Sequence, residues 1–185
     1  MNYADIKERN IANGPGVRVN LFVSGCEHYC KNCFNKEAWD FNYGKRYTRE
    51  DTLRIIDLLK PDYIAGFTVL GGEPLCPQNI NTVKNICKEV RKTYPDKSIW
   101  IYTGYTLESL IELYDGSTNP KGADDLYEIF ETINVLVDGP FIEDLKRLDL
   151  KFRGSSNQRL ISFDKTKFIR KDNKIKITSI SLFSE

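Results

Sequence analysis

Histidine and methionine are almost missing from this 185-residue sequence, which holds one of each beside two tryptophans. With a single histidine, His28, the usual base of hydrolytic chemistry is scarce, and no base–acid or nucleophile pair stands out elsewhere. An excess of one charge is missing too. Twenty-seven Lys and Arg against 26 Asp and Glu leave a net +1, so no global field draws the chain to nucleic acid or to an anionic membrane. Long apolar runs are also absent: Ile99–Tyr102 and Val135–Val137 span a handful of residues against the roughly 20 of a membrane helix. The first ten residues are polar and of mixed charge, without the basic start and apolar core of an export signal. A cytoplasmic protein is expected, with neither nucleic acid nor membrane as partner.

What is present suffices for one globular core. Forty-one per cent of the residues are hydrophobic, and a chain of this length buries roughly 70% of its unfolded surface. A single domain over residues 1–185 is expected, with a C-terminal extension from about residue 164. Residues 17–24 read as the first strand and become continuously apolar, as a strand buried on both faces does. Thr48 precedes a helical spacing that Pro61 stops, and Ile64–Leu70 is the next strand. Ile80, Val83, Ile86, Cys87, Val90 and Tyr94 recur on one helix face, which Pro95 closes. A strand over 99–103, a helix capped by Thr106, a loop over 115–122 and a helix capped by Asp124 or Asp125 follow, then strands at 134–137, 159–163 and 174–180. The charged stretch 165–176 reads as a solvated edge strand. Strands alternating with helices argue for a parallel α/β sheet of about five to six strands. The chain is too short for a closed eight-unit barrel, which takes about 250 residues; a doubly wound sheet or an open, partial barrel fits.

Five cysteines, three of them within eight residues, do not form a disulfide framework. Cys26, Cys30 and Cys33 lie in a loop over 25–34, directly after a strand, at Cys-x-x-x-Cys-x-x-Cys spacing. Closing so short a loop costs little entropy, so three thiolates can meet one metal centre. A cubane 4Fe-4S cluster held by three cysteines keeps one iron open. The competing centre is structural zinc, which needs a fourth ligand such as His28 or Cys76. His28 is poorly placed for that, between two ligands of one short loop. Past the second apolar strand stands Gly71-Gly72-Glu73-Pro74, where glycines allow close backbone approach and a carboxylate can receive an ammonium group. Thr103 and Asp138 sit at the tips of two later strands, the end of a parallel sheet that carries chemistry.

The cysteine loop and the Gly-Gly-Glu-Pro turn together resemble the radical S-adenosylmethionine enzymes. That resemblance implies an open, partial parallel βα barrel, a 4Fe-4S cluster on Cys26, Cys30 and Cys33, and S-adenosylmethionine on the open iron. Gly71, Gly72 and Glu73 would hold its methionine amino group, with Thr103 and Asp138 near the cofactor. Asn13–Arg18, Val137–Phe141 and Arg153–Ile161 narrow the resemblance to the activating enzymes of anaerobic, class III ribonucleoside-triphosphate reductases, across about residues 11–161. It implies an oxidoreductase that takes an electron from flavodoxin or ferredoxin and cleaves S-adenosylmethionine to methionine and a 5′-deoxyadenosyl radical. That radical would remove hydrogen from a glycine in the C-terminal loop of the reductase's large subunit. A radical enzyme acting on a small molecule, of the deazapurine synthase type, and a non-enzymatic zinc or iron-sulfur module are the alternatives.

Overall fold

The computed structural model describes residues 1–171 and 174–184. Nine strands and four α-helices follow one another as β1 (Asn2–Asn10), β2 (Val17–Val23), β3 (Lys45–Arg46), α1 (Arg49–Leu58), β4 (Ile64–Gly71), α2 (Ile80–Thr93) and β5 (Ser98–Tyr102). Then come α3 (Leu107–Leu113), α4 (Pro120–Thr132), β6 (Val135–Asp138), β7 (Arg159–Ser162), β8 (Lys167–Lys171) and β9 (Lys174–Ser179). The central sheet is mixed and has seven strands in the order β3-β1-β2-β4-β5-β6-β7, not the five to six expected. Its middle four, β2-β4-β5-β6, are parallel, while β1 and β7 run antiparallel to them on either side and β3 pairs antiparallel with β1 at the outer edge. The sheet is not closed.

Each parallel strand lies beside the one before it, with no reversal of order. A doubly wound sheet reverses at a switch point; a strand order that never reverses places successive right-handed crossovers on one face. The buried side chains agree. Val19, Leu21, Val23, Phe67, Val69, Ile99, Ile101 and Leu136 join helix residues such as Ile55, Val83, Ile86, Leu110 and Leu126 in the large core. The alternate residues point to the other face, where Trp100, Val135, Val137 and Leu160 form a smaller cluster. Fully buried Arg18 shares that face: its guanidinium donates to Thr68 Oγ1 at 2.7 Å, to Ser98 Oγ at 2.8 Å and to the carbonyls of Phe67 and Ser98.

Three local expectations are corrected. The strand at 17–23 is second, because β1 precedes it; only Tyr3 and Ile6 of β1 are buried hydrophobics, too few to signal a strand by alternation. Helix α4 is capped by Asn119, whose side chain accepts from Gly122 N, with Pro120 opening the helix; neither Asp124 nor Asp125 caps it. Asp125 instead pairs with Lys84 at 2.7 Å across to α2. The basic stretch is not one edge strand: it takes in β8 and the start of β9, which form a two-stranded sheet of their own; Asp172 and Asn173 within it lie outside the described residues. Ile175 is buried there, and Phe168 packs edge-on against Phe163 and Phe130. Among the described residues no helix is long and apolar enough to cross a membrane.

Candidate metal and cofactor site

A cavity of about 560 Å³ opens beyond the C-terminal ends of the parallel strands. Cys26, Cys30 and Cys33 all line it, facing Gly71, Gly72, Thr103 and Gly104. All three cysteines are free thiols. Burial pushes the Cys26 thiol up to about 11, against a backbone hydrogen bond from His28 that pulls it down. Cys30 is raised for the same reason, with a backbone hydrogen bond from Phe141 opposing. A metal reverses that preference, because it binds the thiolate. Among the described residues no three His, Cys, Asp or Glu side chains converge where one ion could sit. The three thiols line one cavity wall, and thiolates are the donors an iron-sulfur cluster takes. The donor set therefore fits a 4Fe-4S cluster.

The two glycines of the turn have a packing reason besides ligand approach. At Gly72 a Cβ would lie 2.5 Å from the Gly25 carbonyl oxygen and 2.9 Å from that of Ala38. Gly71, at φ +114, presses against the Val23 backbone. Hydrogen bonds then stitch the turn to the base of the cysteine loop: Gly72 N donates to Val23 O and Glu73 N to Gly25 O, both at 2.7 Å. A side chain at either glycine would push the two loops apart.

Glu73 is wholly buried, and its carboxylate is full. Oε1 accepts from Leu75 N at 2.9 Å and from the Thr103 hydroxyl at 2.8 Å. Oε2 accepts from Gly104 N at 2.7 Å and from His28 Nε2 at 2.8 Å. Four donors use the roughly four acceptor sites a carboxylate offers. Glu73 thus ties together the loops after β2, β4 and β5, and the part of the turn that faces the cavity is the Gly71-Gly72 backbone.

Asp138 is not brought into the cavity. Its Oδ2 accepts from Leu107 N at 2.8 Å, capping α3, and Arg159 binds it through Nε at 3.0 Å and Nη2 at 2.5 Å. The expected place beside the cofactor is occupied instead by its neighbour Gly139. Cys76 is buried and does not line the cavity, as suits a small apolar filler, and Cys87 sits inside the helix core.

Among the aromatics flanking the cysteines, Trp39 lines the cavity with Tyr29 edge-on at 5.2 Å, and Phe41 packs on Gly25. Phe34 lies at the mouth, 88% exposed. Ala12 and Asn13, in the loop before β2, and Arg153, Gly154 and Gln158, before β7, also line the wall. Sequence reasoning missed Lys146, Arg147, Leu148 and Leu150, which also line it; a polar, irregular connection between β6 and β7 carries no periodicity that could have revealed them.

A model of the 4Fe-4S single cluster domain matches residues 12–161, the stretch that contains the whole site. The class is thus an iron-sulfur protein. An anaerobic ribonucleoside-triphosphate reductase-activating protein of Vibrio cholerae is 39% identical over 165 residues, covering 88% of this chain and 99% of that protein. The protein of the same name from Escherichia coli is 41% identical over 160 residues, 85% and 96% of the two chains, and that from Haemophilus influenzae 36% over 165 residues, 88% and 99%. The chain belongs to the family of anaerobic ribonucleoside-triphosphate reductase-activating proteins, and it is an enzyme of that family.

Proposed function

We propose that this protein activates an anaerobic ribonucleoside-triphosphate reductase through radical S-adenosylmethionine chemistry. Cys26, Cys30 and Cys33 hold the 4Fe-4S cluster and leave one iron for the cofactor. When bound and reduced, the cluster supplies the electron that splits S-adenosylmethionine into methionine and a 5′-deoxyadenosyl radical, which takes hydrogen from a C-terminal-loop glycine of the reductase's large subunit. Flavodoxin or ferredoxin is the proposed donor of that electron, and the cytoplasm the proposed compartment.

The chain's own work is to position and to exclude water. Gly71 and Gly72 offer bare backbone to the cofactor, and Thr103 lines the same wall with its hydroxyl anchored on Glu73. Glu73 acts from behind that wall as its fixed support. Asp138 supports α3 and Arg159 and touches the cofactor in no part of this reading. One observation carries the proposal: three thiols and the Gly71-Gly72 turn share one cavity, in a chain of this family. Its opening gives a loop of a large partner a way to the reacting atoms. Anaerobic incubation of reconstituted protein with dithionite, S-adenosylmethionine and the reductase's large subunit should give a glycyl-radical doublet in the electron paramagnetic resonance spectrum. A doublet of equal size with Cys30→Ala would overturn the assignment.

A further inference from the structure

The chain's one histidine stands between two of the proposed ligands, and the reading above gives it no task. We propose that His28 is a positioning residue: it straps the cysteine loop to the Gly71–Glu73 turn and so fixes the cluster end of the cavity against the cofactor end. The inference rests on the function proposed above and extends it.

His28 lines the cavity and is held by several contacts behind it. Its ring Nε2 donates to Glu73 Oε2 at 2.8 Å, since a carboxylate already taking three other donors can only accept. Tyr105 meets the ring edge-on, with centroids 4.4 Å apart. Gly104 lies against the imidazole: a Cβ there would fall 2.4 Å from Cδ2 and 2.7 Å from Nε2. The backbone at Gly104 does not adopt the left-handed conformation, so the ring is what excludes a side chain at 104. On its other flank, the backbone N–H of His28 donates to the Cys26 sulfur. One residue thus touches a cluster ligand through its main chain and the turn's buried carboxylate through its ring. Hydrogen bonds to ligand sulfurs are a lever on cluster electronics, so holding this ring also holds that N–H.

The loop has need of a strap. Tyr29 and Asn32 sit in the left-handed region, at φ 48 and 57, and the loop from Cys26 to Cys33 lies outside the helices and strands. Gly104 N–H donates to the same Glu73 oxygen as His28, so displacing the ring releases the cysteine loop from the tip of β5 as well as from the turn. Glu73 remains held by its three other donors.

The test is a set of five reconstituted proteins kept without oxygen: wild type, His28→Ala, His28→Gln, Gly104→Ala and the double variant His28→Ala/Gly104→Ala. Iron content, the thermal midpoint and the S-adenosylmethionine dissociation constant, titrated on the reduced-cluster resonance, are read for each. His28→Ala should keep wild-type iron, because all three cysteines remain, and raise the dissociation constant about tenfold, the size expected for a lost hydrogen bond to a buried charged group. His28→Gln, whose amide can donate to Oε2, should recover affinity to within about threefold. Gly104→Ala should weaken binding alone yet add less than about twofold to His28→Ala, since its Cβ then has no ring to displace. Wild-type affinity in His28→Ala, even with a lowered midpoint, overturns the inference alone, as does full additivity of the two substitutions. A wild-type protein that binds no S-adenosylmethionine overturns the functional reading and this inference together.

Discussion

Two buried carboxylates stand at the tips of parallel strands, and they do different work. Glu73 follows β4 and Asp138 ends β6; both are essentially inaccessible, and Glu73 takes four donors, Asp138 three. The donors differ. Three of those on Glu73 belong to Thr103, Gly104 and His28, all of which line the cavity, and the fourth is Leu75 N. Those on Asp138 belong to the first turn of α3 and to Arg159, which reaches on to exposed Glu108 at 2.7 Å. Position at the C-terminal end of a parallel sheet therefore does not by itself tie a carboxylate to the cavity wall. What matters is whether its partners face the cavity or the helical layer.

Substitutions can sharpen that contrast. The largest effect belongs to the wall that Glu73 supports: Cys30→Ala should abolish cluster assembly, read as iron per chain, and full iron content would break the assignment. Glu73→Ala comes next. It strands four donors inside the protein and should cost about 3–5 kcal/mol in denaturant unfolding, with S-adenosylmethionine affinity falling alongside. Asp138→Ala should cost about 1–3 kcal/mol, through the lost bonds to Leu107 N and Arg159, while iron content and cofactor affinity stay within about twofold of wild type. Affinity that fell as far as with Glu73→Ala would erase the distinction. Glu108→Ala, at the solvent end of the same ion pair, should change stability by less than about 0.5 kcal/mol.

Much of the site could be read in the sequence because its chemistry is local. Three cysteines within eight residues and a Gly-Gly-Glu-Pro turn need no long-range information to be noticed, and apolar runs such as Phe67–Leu70 mark buried parallel strands by composition alone. The missing pieces are tertiary. Strand β1 is a charged edge-side strand with two buried hydrophobics, and its pairing with β2 is what identifies it. The Asn119 cap lies inside a run of turn-forming residues that reads as loop throughout. The bond from His28 to Glu73 spans 45 residues of sequence, and no spacing rule reaches that far. The same holds for Asp138 and Arg159, whose contact depends on the antiparallel register of β6 and β7.

The central claim is that the cavity walled by Cys26, Cys30, Cys33 and the Gly71-Gly72 turn joins a cluster to S-adenosylmethionine. Its most direct test is the resonance spectrum of the dithionite-reduced, reconstituted protein with and without that cofactor, with 5′-deoxyadenosine measured in the same sample. A reduced-cluster signal that shifts when the cofactor is added, accompanied by deoxyadenosine, is the predicted result. A silent, zinc-loaded protein that leaves the cofactor intact would contradict it and reduce the cysteine loop to a structural staple.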